Sequence, residues 1–86
     1  MAYMLIVAET SISADTNERL RLKSIVEKSA EIVRFTKGSE VIAENCFLLN
    51  MQTGASAFSN VLRVLQDAEL KYKTVSLQDR PAFVSQ

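Results

Sequence analysis

The chain has 86 residues, 48% hydrophobic and 23% charged, with two glycines and one proline, which excludes a disordered polymer and points to one small domain burying roughly 60–65% of its unfolded surface. Ten Lys and Arg balance ten Asp and Glu, so no global field draws the protein to nucleic acid or an anionic membrane. One Cys, no His and no secretory leader pattern argue against a disulfide framework and the usual zinc sites and for a reducing, cytoplasmic setting, and the longest uncharged apolar stretch, MAYMLIVA, falls far short of the ~20 residues that span a bilayer.

Residues 3–8, YMLIVA, read as a short strand apolar on both faces, with Tyr3, Leu5 and Val7 on one and Met4, Ile6 and Ala8 on the other. Glu9 ends it. In the polar stretch that follows, Asp15 and Glu18 stand in the D-x-x-E relation of a capping box. From Glu18 to Arg34 the period is helical: Leu22, Ile25, Val26, Ser29, Ile32 and Val33 form one stripe and the charges face away. Arg34 and Lys37 close this helix in keeping with its dipole, and Gly38 stands where a left-handed cap is wanted.

SEVIAE and NCFLLNM then predict two strands joined by a tight turn at Glu44 and Asn45, with one strand of about eleven residues as the alternative. QTGAS reads as a loop. A second helix follows with Phe58, Val61, Leu62, Leu65 and Ala68 on one stripe and Ser56 as its cap. KYKTVSL is a last strand, Val75 and Leu77 on one side, Thr74 and Ser76 on the other. Residues 1–78 thus make one domain and 79–86, DRPAFVSQ, a tail whose Ala82, Phe83 and Val84 form an apolar cluster.

The order strand, helix, strand, strand, helix, strand is the split βαβ, ferredoxin-like pattern: an α+β two-layer sandwich with two helices on one face of a four-stranded antiparallel sheet. The runs apolar on both faces, YMLIVA and CFLLNM, are the first and third strands, which this pattern places in the middle. Charged Lys71, Lys73, Glu40 and Glu44 fall on the expected edges, where charge opposes aggregation. Two helices cover one face only. The other would expose an apolar patch, built from one alternating set of each central strand, and a second copy of the chain is the simplest cover.

Several residues invite a chemical reading beside a structural one. Arg19, Arg21, Lys23 and Lys28 form a basic helix face suited to phosphates, yet Glu18, Glu27 and Glu31 stand three or four residues from these cations and balance them in place. Thr53, Gly54 and Ser56 lie before a helix, where free N–H groups hold anions, but the Lys of a Walker loop and the spaced glycines of a dinucleotide loop are missing. Tyr3 and Phe47 fall on adjacent central strands as in an RNA-stacking sheet, without the basic and glycine residues of that motif. Cys46 has no His to activate it and reads as an inert core thiol. Glu9 and Asp15 are explained as a strand-end charge and a helix cap without a shared metal.

The succession YMLIVAE, long helix, VIAENCFLLNM, shorter helix, KYKTVSL resembles that of small dimeric ferredoxin-like proteins, among them the CRISPR-associated family that accompanies the spacer-acquisition integrase. The resemblance covers most of the chain, and its most specific piece is the E-N-x-F-L hairpin at residues 44–48. It implies dimerisation through the sheets, with C-terminal segments crossing to the partner. Nucleic-acid cleavage in that family uses an Asp at the end of the first strand. Glu9 stands there in this chain and the family's tyrosine-and-aspartate run is missing, so nuclease chemistry is not carried over.

The expectation is therefore a cytoplasmic homodimeric binding or regulatory protein acting by protein–protein contact, with no cofactor, no metal and no catalytic residues. Its interface is expected at Phe47, Leu49 and Phe83, and its partners are a second copy and another protein. Two alternatives stand beside it: a nucleic-acid-binding, nuclease-like protein using Arg19, Arg21, Lys23 and Lys28, and an anion- or nucleotide-sensing module using Thr53, Gly54 and Ser56.

Overall fold

Six elements follow one another: β1 (Tyr3–Ala8), α1 (Thr16–Arg34), β2 (Glu40–Ala43), β3 (Cys46–Asn50), α2 (Met51–Asp67) and β4 (Tyr72–Leu77). This is a computed structural model, and it describes residues 2–9 and 16–82. The expected cap residue Asp15 and the tail residue Phe83 lie outside the described residues. None of the described helices is long and apolar enough to cross a membrane.

The strands form one antiparallel sheet in the order β2-β3-β1-β4, with Ile6 opposite Phe47 and Leu5 opposite both Leu48 and Val75. The turn at Glu44 and Asn45 makes two strands of residues 40–50. Asn45 clamps it onto β1, its side-chain amide donating to the Ala8 carbonyl at 2.8 Å while its own carbonyl accepts the Ala8 N–H at 2.9 Å. Between the pairs Val41–Phe47 and Ala43–Cys46 the chain carries one extra residue, Ile42, a β-bulge at the sheet edge.

Opposed residues of an antiparallel pair share a face. Ile6, Ala8, Phe47 and Leu49 pack with Val26, Ala30 and Val33 of α1 and Val61 and Leu65 of α2 in a single buried cluster, so both helices lie on the same side. This corrects the expected interface: Phe47 and Leu49 are fully buried under the helices, and the outward set on the central strands is Tyr3, Leu5, Val7, Cys46 and Leu48. Alternation along a strand defines two sets without saying which one the helices take. Packing settles it: the set with Ile6, Ala8, Phe47 and Leu49 is the one that meets α1 and α2. Ser29, inside the apolar stripe of α1, is fully buried and satisfied by donating to the Ile25 carbonyl at 3.1 Å.

The second helix starts six residues earlier than the sequence predicts, its cap being Asn50 instead of Ser56. Asn50 ends β3 and at once caps α2, accepting the Gln52 N–H at 3.0 Å, while the Met51 N–H donates to the Ala2 carbonyl at 2.9 Å. Met51 is thus helical rather than the end of a strand. The expected loop at 52–56 is a first helical turn with a kink at Gly54 (φ −122°, ψ 22°), which is buried and packs so closely on Thr36 that a Cβ would stand 2.8 Å from its methyl. Gly38 is left-handed (φ +77°) but lies four residues beyond Arg34, turning the chain into β2. At the other end of α2, Glu69 adopts the left-handed conformation (φ 59°), with Glu69 N–H bonded to the Gln66 carbonyl and Leu70 N–H to that of Leu65. That pair is a Schellman closure with Glu where Gly is usual.

Candidate functional site

The face of the sheet away from the helices is built in rows by the register. Leu77 stands beside Tyr3; Val75, Leu5, Leu48 and Glu40 form a second row; Lys73, Val7, Cys46 and Ala43 a third. Exposure along the second row is graded. Leu48 is 0% exposed, Leu5 half-buried and Val75 47% exposed. Tyr3, in the first row, is 8% exposed. The β3 side of this face is therefore covered, and the apolar side chains left in contact with water are Leu5, Val7, Val75 and Leu77, on β1 and β4, with Cys46 beside them. On the other side of β4, Thr74 and Ser76 are also exposed, while Tyr72 at the start of the strand packs against the core.

Charge frames the patch. Lys73 pairs with Glu9 at 3.5 Å at one corner, and Arg80, just beyond β4, pairs with Glu40 on the opposite edge strand. Cys46 is half-buried, and burial pushes its thiol above the ordinary value, which keeps it protonated and a poor nucleophile. Among the described residues no three His, Cys, Asp or Glu side chains group to hold a metal ion.

The other candidate residues fall elsewhere. Arg19, Arg21, Lys23 and Lys28 are all exposed on α1, but Arg21 is committed to its own helix layer: it pairs with Glu18 at 3.1 Å and donates to the Ala68 carbonyl at 3.2 Å. The hydrogen bond to Glu18, followed by that carboxylate's charge, raises the guanidinium pKa further. Arg19 and Lys23 line a cleft of about 300 Å³ with Leu22, Val26, Glu44 and Asn45, a mixed-charge wall rather than a purely basic one. Thr53, Gly54 and Ser56 do not form an open loop. Thr53 donates its hydroxyl to the Lys37 carbonyl at 2.7 Å, Gly54 is buried, and two N–H groups at the helix start are already bonded to Ala2 and Asn50.

Comparison with known proteins finds no match: no family model, no curated protein and no solved structure aligns with the chain. Among the described residues, burial, register and charge converge on the graded apolar face of the sheet. From sequence, β1 offers either Tyr3, Leu5 and Val7 or Met4, Ile6 and Ala8 to this face, and β3 either Cys46 and Leu48 or Phe47, Leu49 and Met51; the structure takes the first of each. The Arg80–Glu40 contact has no signal in the sequence, its partners being forty residues apart.

Proposed function

We propose that this chain is a cytoplasmic ferredoxin-like domain working as a small homodimeric regulator or adaptor, which docks the outer face of its sheet on a second copy and acts on another protein by contact. The strand order β2-β3-β1-β4 supports the fold, since it puts the first and third strands in the centre as the split βαβ pattern requires. The association is carried by one observation: Val75 is 47% exposed beside half-buried Leu5, Val7 and Leu77 on the face the helices leave bare. A contiguous apolar patch of this kind marks interaction surfaces. A two-fold axis through it brings each patch onto its own copy, so one surface suffices for both partners.

Sedimentation equilibrium from about 10 μM to about 1 mM tests this, the upper limit corresponding to an association of only ~4 kcal/mol. The parent chain populates a dimer in this range. Val75→Glu, at an exposed position that tolerates charge, is a folded monomer by circular dichroism and sedimentation. A parent that stays monomeric throughout overturns the proposal, as does a dimer that Val75→Glu leaves unchanged.

A further inference from the structure

Two residues on the outer face, Tyr3 and Leu48, are 8% and 0% exposed although neither helix lies on their side of the sheet. The chain just beyond β4 comes to the same part of the sheet, since Arg80 meets Glu40, the residue opposite Leu48. β4 and β2 are the two edges of the sheet, about 14 Å apart over three strand spacings. From Leu77 to Arg80 the backbone reaches at most ~11 Å, and yet the Arg80 guanidinium meets the Glu40 carboxylate on β2. The segment therefore turns from the line of β4 toward the other strands, and the Arg80 and Glu40 side chains complete the span. Glu40 is opposite Leu48 and so shares its outward face, and Pro81, directly after Arg80, is half-buried.

We propose that residues 78–82 are a strap that closes over the β3 side of the outer face, latched by Arg80 on Glu40, and that in this closed state it holds back the docking of a second copy. The inference rests on the proposed association through that face and adds its regulation. The latch is built to release: both side chains remain about half exposed, 49% and 46%, and an ion pair in such a setting is weak and screened by salt. When the strap opens, Tyr3 and Leu48 join Leu5 and Val75 and the patch extends from β4 to β3. Association is then governed by the open fraction, the apparent Kd being the intrinsic Kd divided by that fraction. An acidic group on a partner protein that captures Arg80 would shift the same equilibrium.

The experiment is the dimer Kd of the full chain by sedimentation equilibrium, measured for the parent, Arg80→Glu, Glu40→Arg, the double reversal, and each of these carrying Val75→Glu. Either single reversal replaces attraction by repulsion and tightens the dimer about fivefold, the scale of an exposed ion pair. The double reversal restores the latch and returns Kd to within about twofold of the parent. Equal Kd values in all four chains overturn the strap while leaving the sheet-face dimer standing. A single reversal that weakens the dimer also overturns it, because the segment then contributes to the interface instead of restraining it. If none of the four dimerises, or if Val75→Glu leaves their dimers intact, the sheet-face reading and the strap fall together.

Discussion

Replacing Gly38 by Ala joins two independent features of the fold in one measurable cost. Gly38 has φ +77°, and a Cβ built on it would lie 2.7 Å from Asn50 Nδ2 and 3.3 Å from Asn50 Cβ. A left-handed alanine costs roughly 1–2 kcal/mol, of which about 0.4–1 is offset because alanine also restricts the unfolded chain. To clear the new methyl, the Asn50 amide has to move, and the same side chain caps α2 by accepting the Gln52 N–H at 3.0 Å. Losing such a cap costs about 0.5–2 kcal/mol. The net loss is about 2 kcal/mol, against a total of roughly 4–13 kcal/mol for a chain of this length. The melting temperature should drop by roughly 8–16 °C. Urea and thermal unfolding followed by far-UV circular dichroism measure both. Asn50→Ala alone should cost about 1 kcal/mol, and the double substitution should cost less than the sum, since the amide that the methyl strikes is gone. A Gly38→Ala protein within about 0.5 kcal/mol of the parent, or strictly additive double-mutant values, would refute the argument.

Other substitutions separate buried from exposed residues and strained from relaxed ones. Phe47→Ala empties the centre of the core, where the ring is 0% exposed, and should cost about 3–5 kcal/mol, whereas Phe35→Ser, at 85% exposure just past α1, should change stability by under about 0.5 kcal/mol in the same urea titration. Glu69→Gly relieves the left-handed residue of the Schellman closure and should raise stability by about 0.5–1 kcal/mol; a loss would show that the side chain, not the backbone, matters there. Burial raises the Cys46 thiol above its ordinary 9.0, so at pH 8 iodoacetamide should alkylate the folded protein more slowly than the urea-unfolded chain, and equal rates would contradict the burial. Because the folded-state value is the higher one, this group leaves stability unchanged at lower pH and begins to reduce it as pH rises past 9.0, where the unfolded thiol ionises first.

Most of the element order was legible because it is written in short-range periodicity. The stripe from Leu22 to Val33 and the stripe from Phe58 to Leu65 mark the two helices, and runs apolar on both sides mark the two strands that sit inside the sheet. The start of α2 was not legible. Gly54 and the polar residues around it look like a loop, and only the contact with Thr36 and the capping by Asn50 hold the first turn helical. Of the candidate site, alternation permits two sets on each central strand, and the outward combination of Leu5 and Val7 with Leu48 is one of the four that result. Phe47 and Leu49, expected at the interface, instead fill the middle of the core beneath the two helices, where large apolar side chains pack closely.

Local chemistry was enough to mark the two helical stripes, the strand-forming segments and the left-handed glycine before β2, because each depends on residues within one or two turns of one another, and it left the turn at Asn45 beside a single-strand alternative. Which sheet face the helices occupy, where the strand after Asn50 becomes a helix, and that Arg80 meets Glu40 were decided only by the tertiary structure. These features depend on contacts between residues distant along the chain, and a periodic pattern carries no information about them.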